Sequence, residues 1–442
     1  MDISRRNFLK LGLGIAAFAA LPKFTLAATK KTGAYHYSIK VMHTKHCFKN
    51  NQVIDIMSYN ETIEAPVIIA RQGQPITIEV TNLLDEPTTI HWHGLRIPIE
   101  MDGVPHLSQP PILPGETFTY RFTPPDAGTY WYHSHVNSIH QLGKGLSGCF
   151  IVEESQPAKF DADIPLLLRS WRIDEEGGWL PLTTPKSFRS GTKGTMDTVN
   201  SKSIPTIEIP ERSLIRLRLV NVDSTKIYKV ILAGRKSKLI AIDGHPLESY
   251  RTFENYQVAP GCRIDLALRS PVKDKTIVLK ANDDEKILAY LKTVKHQGIP
   301  IKRSLPQLPP NPISQYKQNR KEYMFSFTWQ GGDGWTINGK PLLHISQDDH
   351  GKPLKRLKLG KSYTFILNNN TQYRHPIHLH GHIFRVIENS GGEVGYWTDT
   401  VTLGKSQTVK IAFVADNPGK WMFHCHIIEH MKTGMSGYIE VS

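Results

Sequence analysis

Twelve residues near the end of the chain, His424-Cys425-His426-Ile427-Ile428-Glu429-His430-Met431-Lys432-Thr433-Gly434-Met435, constrain it more than any other stretch. On a strand, side chains alternate between faces, so His424 and His426 point one way and Cys425 the other. A thiolate, two imidazoles and a weak axial thioether make the donor set of a blue-copper electron-transfer site. Cys425, His430 and Met435 supply three of those four donors. The second imidazole has to come from elsewhere, and so do partners for His424 and His426.

Three more His-x-His pairs meet that need: His91/His93 in HWHG, His133/His135 in YWYHSH and His378/His380 in HPIHLHGH. Twenty histidines scattered over 442 positions would give only about one such pair by chance. The eight imidazoles of the four pairs suit three copper ions held three, three and two. His375, three residues before His378, is the natural second imidazole for Cys425. A single histidine is usually structural, but this many polar rings all need partners.

In that order, HWHG, HSH, HPIHLHG and HCHIIEHMKTGM resemble the four copper-binding segments of multicopper oxidases, the laccase-like family. The resemblance runs over essentially the whole mature chain. It implies an all-β fold of three consecutive cupredoxin-like Greek-key β-barrel/sandwich domains, and four copper ions. Carried onto matching positions, it gives the type 1 copper His375, Cys425, His430 and Met435, and the type 2 copper His91 and His378. One type 3 copper takes His93, His133 and His426, and the other His135, His380 and His424. It also implies Cys425 as the residue through which electrons reach the cluster, with O2 and a small reducing substrate as the reaction partners.

Reduction of O2 consumes protons, so an acid near the cluster is expected. Asp102, nine residues after His93, resembles the acidic residue many relatives carry there, which implies a proton donor or an orienting group. From the residues alone, Asp102-Gly103 reads equally as a turn. Many bacterial relatives have a second acid directly after the His430 position; here it is Met431, and Glu429 is expected to point elsewhere. His382 has no family role and reads as a histidine behind the ligands or facing solvent. The segment Trp397-Thr398-Asp399-Thr400-Val401 either borders the substrate face or is an ordinary strand-turn pair, with the second reading favoured. A lone His245 reads as a surface or turn residue.

The remaining chain is organised as a threefold repeat. Ile76-Thr-Ile-Glu-Val-Thr-Asn82, Leu214-Ile-Arg-Leu-Arg-Leu-Val-Asn221 and Tyr363-Thr-Phe-Ile-Leu-Asn368 resemble one another, their asparagines 139 and 147 residues apart. Self-similarity at long period signals duplicated domains. The expected division is 29–155, 156–300 and 321–442, with a proline-rich linker over 301–320. The first and third units carry the histidine pairs. The second carries no copper motif and is read as architectural.

Residues 1–28 read as an export signal: Ser4-Arg5-Arg6-Asn7-Phe8-Leu9-Lys10 is a twin-arginine motif, followed by an apolar run too short to span a bilayer comfortably. A periplasmic protein, carried by the twin-arginine machinery and without a stable membrane anchor, is expected, as a monomer. Removing four cations and one anion with that segment lowers the net charge from +14 to +11. No basic cluster is interleaved with aromatics, so nucleic acid is not an expected partner. With Cys425 committed, Cys47, Cys149 and Cys262 allow at most one disulfide, which the sequence does not choose.

Three functions are weighed. The first is a laccase-like enzyme oxidising phenols or aromatic amines; the second, a metallo-oxidase acting on Cu(I) or Fe(II). The third is a scaffold without oxidase activity, and twelve intact ligand positions weaken it most. Nine methionines, none clustered ahead of the third unit, count against a dedicated cuprous oxidase.

Overall fold

The computed structural model describes residues 35–272, 275–281, 286–295, 304–331, 334–342, 346 and 351–442. The export signal read at 1–28, and residues 296–303, which include the first three of the expected linker, lie outside them. Six sheets fall into three consecutive pairs, spanning Tyr35 to Glu153, Ala162 to Val294 and Lys321 to Val441. Each pair is a cupredoxin-like sandwich, and the fold is all-β. Helices among the described residues are short, such as Ser138–Lys144, Ser187–Ser190 and Ile428–Lys432.

The repeat is visible strand by strand. Tyr35–Cys47 runs parallel to Ile76–Asn82, Ala162–Trp171 to Leu214–Asn221, and Lys321–Trp329 to Ser362–Asn369. On the other side of each central strand lies an antiparallel neighbour: Thr117–Phe122, Arg263–Arg269 and Thr408–Val414. Ile76, Ile78 and Val80 bury one face of the first central strand, as period-two alternation requires.

The repeated asparagine corrects the sequence reading by one residue. Asn82 Nδ2 donates to the carbonyls of Glu86 and Ile112, and its Oδ1 accepts from Leu84 N–H. Asn221 does the same with Lys226, Val258 and Asp223. In the third sandwich Asn369 fills this role, with Tyr373, Gly404 and Thr371, and Asn368 does not. A fully buried amide satisfied at three points closes each central strand into its loop, which is why that residue type recurs.

The second sandwich ties the other two together. Its central strand Leu214–Asn221 is buried on both faces, and its arginines face carboxylates at the seam with the first sandwich. Arg216 donates to Asp265 at 2.6 and 3.0 Å and to Glu154 at 2.8 Å, while Arg218 reaches Asp163 and Thr129. His245 lies buried there rather than on the surface: Asn311 Nδ2 donates to its Nδ1 at 3.1 Å, and burial lowers its pKa to about 4. Cys47, Cys149, Cys262 and Cys425 are all free thiols.

Candidate metal centre

Strand geometry places the histidine pairs. His91–His93 pairs antiparallel with Gly128–His133, and His375–Leu379 with Gly419–Cys425, so that residue 378 faces 424. The edges of the first and third sandwiches meet here. His91 stacks on His380 with ring centroids 3.9 Å apart, and His93 stacks on His378 at 3.7 Å.

Four sets of three donors lie with their ligand atoms within 4.8 Å of one another: His91, His93 and His378; His93, His133 and His426; His135, His380 and His424; His375, Cys425 and His430. All are buried. Met435 is fully buried beside the last set; its N–H donates to His430 O at 2.9 Å and its carbonyl accepts from Cys425 N–H at 3.0 Å.

The outer nitrogens of these rings are engaged by other groups. His91 Nδ1 donates to Asp102 O at 2.7 Å, His133 Nδ1 to Ser134 O at 2.9 Å, and His378 Nδ1 to Asp399 O at 2.9 Å. Their inner Nε2 atoms are buried and have no hydrogen-bond partner among the described residues, as do His135 Nε2, His93 Nδ1 and both nitrogens of His426. A buried imidazole held this way presents a fixed lone pair, which is the state a metal ligand requires.

Two contacts test whether a cation fits. His380 Nδ1 donates to Asp102 Oδ2 at 2.8 Å and His424 Nδ1 to Cys425 O at 2.9 Å, yet the two Nε2 atoms face each other at 3.1 Å. With both protons on the outer nitrogens, that contact is lone pair against lone pair. The same holds for His375 and His430. His430 Nε2 donates to Arg189 O at 3.2 Å; the Thr371 hydroxyl donates to Asn369 and so accepts from His375 Nε2 at 2.9 Å. Their Nδ1 atoms stand 3.1 Å apart, each 3.7 Å from Cys425 Sγ. A cation between the donors turns repulsion into coordination, and one thiolate with two imidazoles and the thioether of Met435 alongside is the donor set of a blue-copper site.

Electrostatics agree. Burial lowers the pKa values of His424 and His430 to about 3, so these two rings are neutral and free to coordinate. Burial pushes the Cys425 thiol up; without a metal it is protonated, and coordination removes that proton.

Asp102 closes a 3₁₀ turn and puts its carboxylate against the cluster, with Oδ1 3.3 Å from His91 Nδ1 and Oδ2 on His380. The carboxylate thus lies at the end of a turn and beside two imidazoles of the cluster. Glu429 accepts from Thr192 N–H and Thr225 Oγ1, fastening the third sandwich to the second. Met431 packs in an apolar cluster with Val104, Trp131 and Met422. His382 is buried, not in solvent: its Nδ1 donates to His380 O and its ring meets Trp421.

Asp399, to which the sequence reading gave no role of its own, stands between two short strands, Trp397–Thr398 and Thr400–Leu403. It is fully buried, accepts from His93 Nε2 at 3.0 Å, and pairs with Arg263 of the second sandwich at 2.9 and 2.7 Å. Burial alone would raise its pKa, but Arg263 and His93 outweigh that and hold it well below the usual range. The glycine of HWHG belongs to this contact: at φ +89°, a Cβ on Gly94 would stand 2.5 Å from both Arg263 Nη2 and Asp399 Oδ2. The second sandwich also reaches the cluster through Gly261, where a Cβ would lie 3.0 Å from His93 and 3.1 Å from His426. Trp335, equally unforeseen, packs on His375 and His430 with centroids 4.9 and 4.4 Å away.

Known proteins share this arrangement. Residues 23–157 and 311–442 each match the multicopper oxidase family. The crystal structure of a multi-copper oxidase from Pseudomonas thermotolerans is similar with a TM-score of 0.87 and 40% identity, covering 92% of this chain and 99% of that one. A multicopper oxidase described as a metallo-oxidase, from Campylobacter jejuni, superposes with a TM-score of 0.82 at 25% identity over 96% and 95% of the two chains. A multicopper oxidase of Staphylococcus aureus is 29% identical over 95% of this chain and 92% of its own length. Buried, pre-oriented donor sets and likeness along nearly the full length lead to one conclusion: the chain belongs to the multicopper oxidase family, copper oxidoreductases that use oxygen.

Proposed function

We propose that the chain is a laccase-like oxidase that takes single electrons from phenols or aromatic amines and passes them to O2. In this reading His375, Cys425, His430 and Met435 hold a type 1 copper, and His91 and His378 a type 2 copper. His93, His133 and His426 hold one type 3 copper, and His135, His380 and His424 the other, four ions in all. The observation that carries it is the pair of 3.1 Å contacts between bare imidazole nitrogens, one in each centre. Bound copper would supply the one-electron redox chemistry that no side chain here possesses.

The chain's own residues do the rest. Cys425 is bonded through the backbone to His424 and His426, so one residue of covalent path joins the two centres. Asp102, which accepts from His380 through Oδ2, is the carboxyl group placed to relay protons to where O2 reduction consumes them. Trp335 excludes water from His375 and His430.

Organic rather than metallic reductants are favoured by the charge around His430, where exposed Arg189 and Arg374 would repel Fe(II) and Cu(I). The alternative, a periplasmic metallo-oxidase for Cu(I) or Fe(II), draws support from the similarity to the Campylobacter jejuni metallo-oxidase. Oxygen uptake by copper-loaded protein with 2,6-dimethoxyphenol, Fe(II) and Cu(I), against Cys425→Ser, decides between them. Dominant phenol oxidation, absent in the variant, supports the laccase reading. Turnover of metal ions alone replaces it with the second. We further propose that the protein is a periplasmic monomer exported through the twin-arginine route; fractionation of cells carrying Arg5→Lys/Arg6→Lys, and sedimentation of the mature form, test this.

A further inference from the structure

His375 and His430 are buried at 0% and 1% exposure, so a reductant does not touch either ring. Trp335 packs on both rings, and a segment of the second sandwich joins it over His430. Arg189 lends its carbonyl to His430 Nε2 at 3.2 Å, and Phe188 lends its own to Trp335 Nε1 at 2.7 Å. Both residues are exposed, Phe188 at 37%. The Arg189 guanidinium lies 5.8 Å from the Tyr373 ring, and exposed Arg374 follows Tyr373 directly before His375.

The exposed charges of these two segments have one sign, and the carboxylate that touches them, Glu429, is buried against Thr192 and Thr225. Residues 177–196 contain Lys186, Arg189 and Lys193 and no acid, and residues 368–384 contain Arg374 and no acid. Two aromatic side chains belong to the same segments: the exposed Phe188, and Tyr373, whose ring has the Arg189 guanidinium 5.8 Å away. An aromatic ring gains by packing on such faces, and a carboxylate gains from guanidinium groups, whose planar fork matches it.

Building on the laccase reading, we propose that the reductant is a phenol bearing an anionic substituent, of the hydroxybenzoate class, docked on Phe188, Arg189, Tyr373 and Arg374. The bound phenol gives up one electron by way of the Arg189 carbonyl and His430, to be accepted by the copper that His375, Cys425 and His430 would hold, and its hydroxyl proton to water, leaving a phenoxyl radical. Four such events supply the four electrons that one O2 takes. The carboxylate stays on the cationic rim throughout and sets affinity, not the chemistry.

The test compares syringate with its neutral methyl ester. Each is titrated calorimetrically into the Cys425→Ser protein, so that binding is read without turnover, and KM is measured on copper-loaded enzyme. Syringate is expected to bind more tightly than the ester, and Arg189→Glu/Arg374→Glu to lower its affinity about tenfold relative to the ester. Arg189→Lys/Arg374→Lys should keep the preference, and 0.5 M salt, with a Debye length of about 4 Å, should erode it. Equal binding of acid and ester, or equal weakening of both by charge reversal, overturns the inference. Oxidation of 2,6-dimethoxyphenol without any preference for the acid overturns it alone, whereas oxidation of no phenol at all overturns the laccase reading beneath it too.

Discussion

Asp399 accepts a hydrogen bond from His93 Nε2 at 3.0 Å, joining the third sandwich to the first, while Arg263 of the second grips the same carboxylate with two nitrogens. All three sandwiches therefore converge on one buried side chain. Asp399→Ala leaves the Arg263 guanidinium buried without this partner and leaves the His93 ring only the Thr400 hydroxyl at 3.2 Å. Removing one member of a buried ion pair costs about 3–5 kcal/mol. A lower thermal midpoint of the apoprotein and a copper content reduced at the shared cluster are expected, by calorimetry and elemental analysis. An Asp399→Ala protein that keeps full copper and its melting temperature would show that Arg263 finds another partner.

Gly94 carries the same junction in its backbone. Gly94→Ala places a methyl group 2.5 Å from Arg263 and Asp399 in a left-handed conformation, so backbone strain and the clash act together. Gly73 has a comparable φ of +72° with nothing within 4 Å of its Cβ. Gly73→Ala should cost about 1 kcal/mol from the backbone alone, and Gly94→Ala several times as much together with cluster copper. Equal losses in the two variants would mean that the junction yields easily.

Asp102 can be separated into orienter and proton donor. Asp102→Asn keeps an oxygen that accepts from His380 Nδ1 but carries no exchangeable acid proton. Copper content should persist while kcat falls by about 10²–10⁴. Asp102→Ala removes the acceptor as well, and copper affinity should drop by about 10–100-fold. If Asp102→Asn retains wild-type kcat across pH, Asp102 orients His380 and protons reach the cluster by another route.

The donors were legible in the sequence because strand alternation turns His-x-His into two imidazoles on one face, a relation that needs only neighbouring residues. What holds those imidazoles was not. His430 is oriented by Arg189 and His93 by Asp399, contacts across 241 and 306 positions, and nothing local in Ser-Phe-Arg-Ser or Trp-Thr-Asp-Thr marks them. His245 was read as a surface or turn residue because a lone imidazole looks soluble, but it is buried with Asn311 as partner; of the two readings of His382, its bond to the His380 carbonyl selects the one behind the ligands. The repeat was clear in its hydrophobic alternation, but its asparagine slipped by one because Asn368, Asn369 and Asn370 stand in a row. Only the bonding partners single out Asn369.

Asp243 gives the seam a dependence on pH that does not involve the donors. It lies fully buried, accepts from Arg263 N–H, and bonds the Thr398 hydroxyl of the third sandwich. Burial raises its pKa to about 7, opposed by Arg263 and reinforced by Asp399. An unfolded aspartate titrates near 3.9, so between roughly pH 4 and 7 the folded state binds the extra proton. Stability from this group is then fully present below about pH 4 and lost as pH rises through about 7. Asp243→Asn keeps an acceptor for Arg263 N–H and a polar contact for Thr398 without titrating. Its apoprotein should lose the downward slope over this interval and be more stable than the parent above pH 7, in urea melts at fixed ionic strength. Parallel curves for the two proteins from pH 4 to 8 would show that Asp243 stays ionised, its charge held by Arg263.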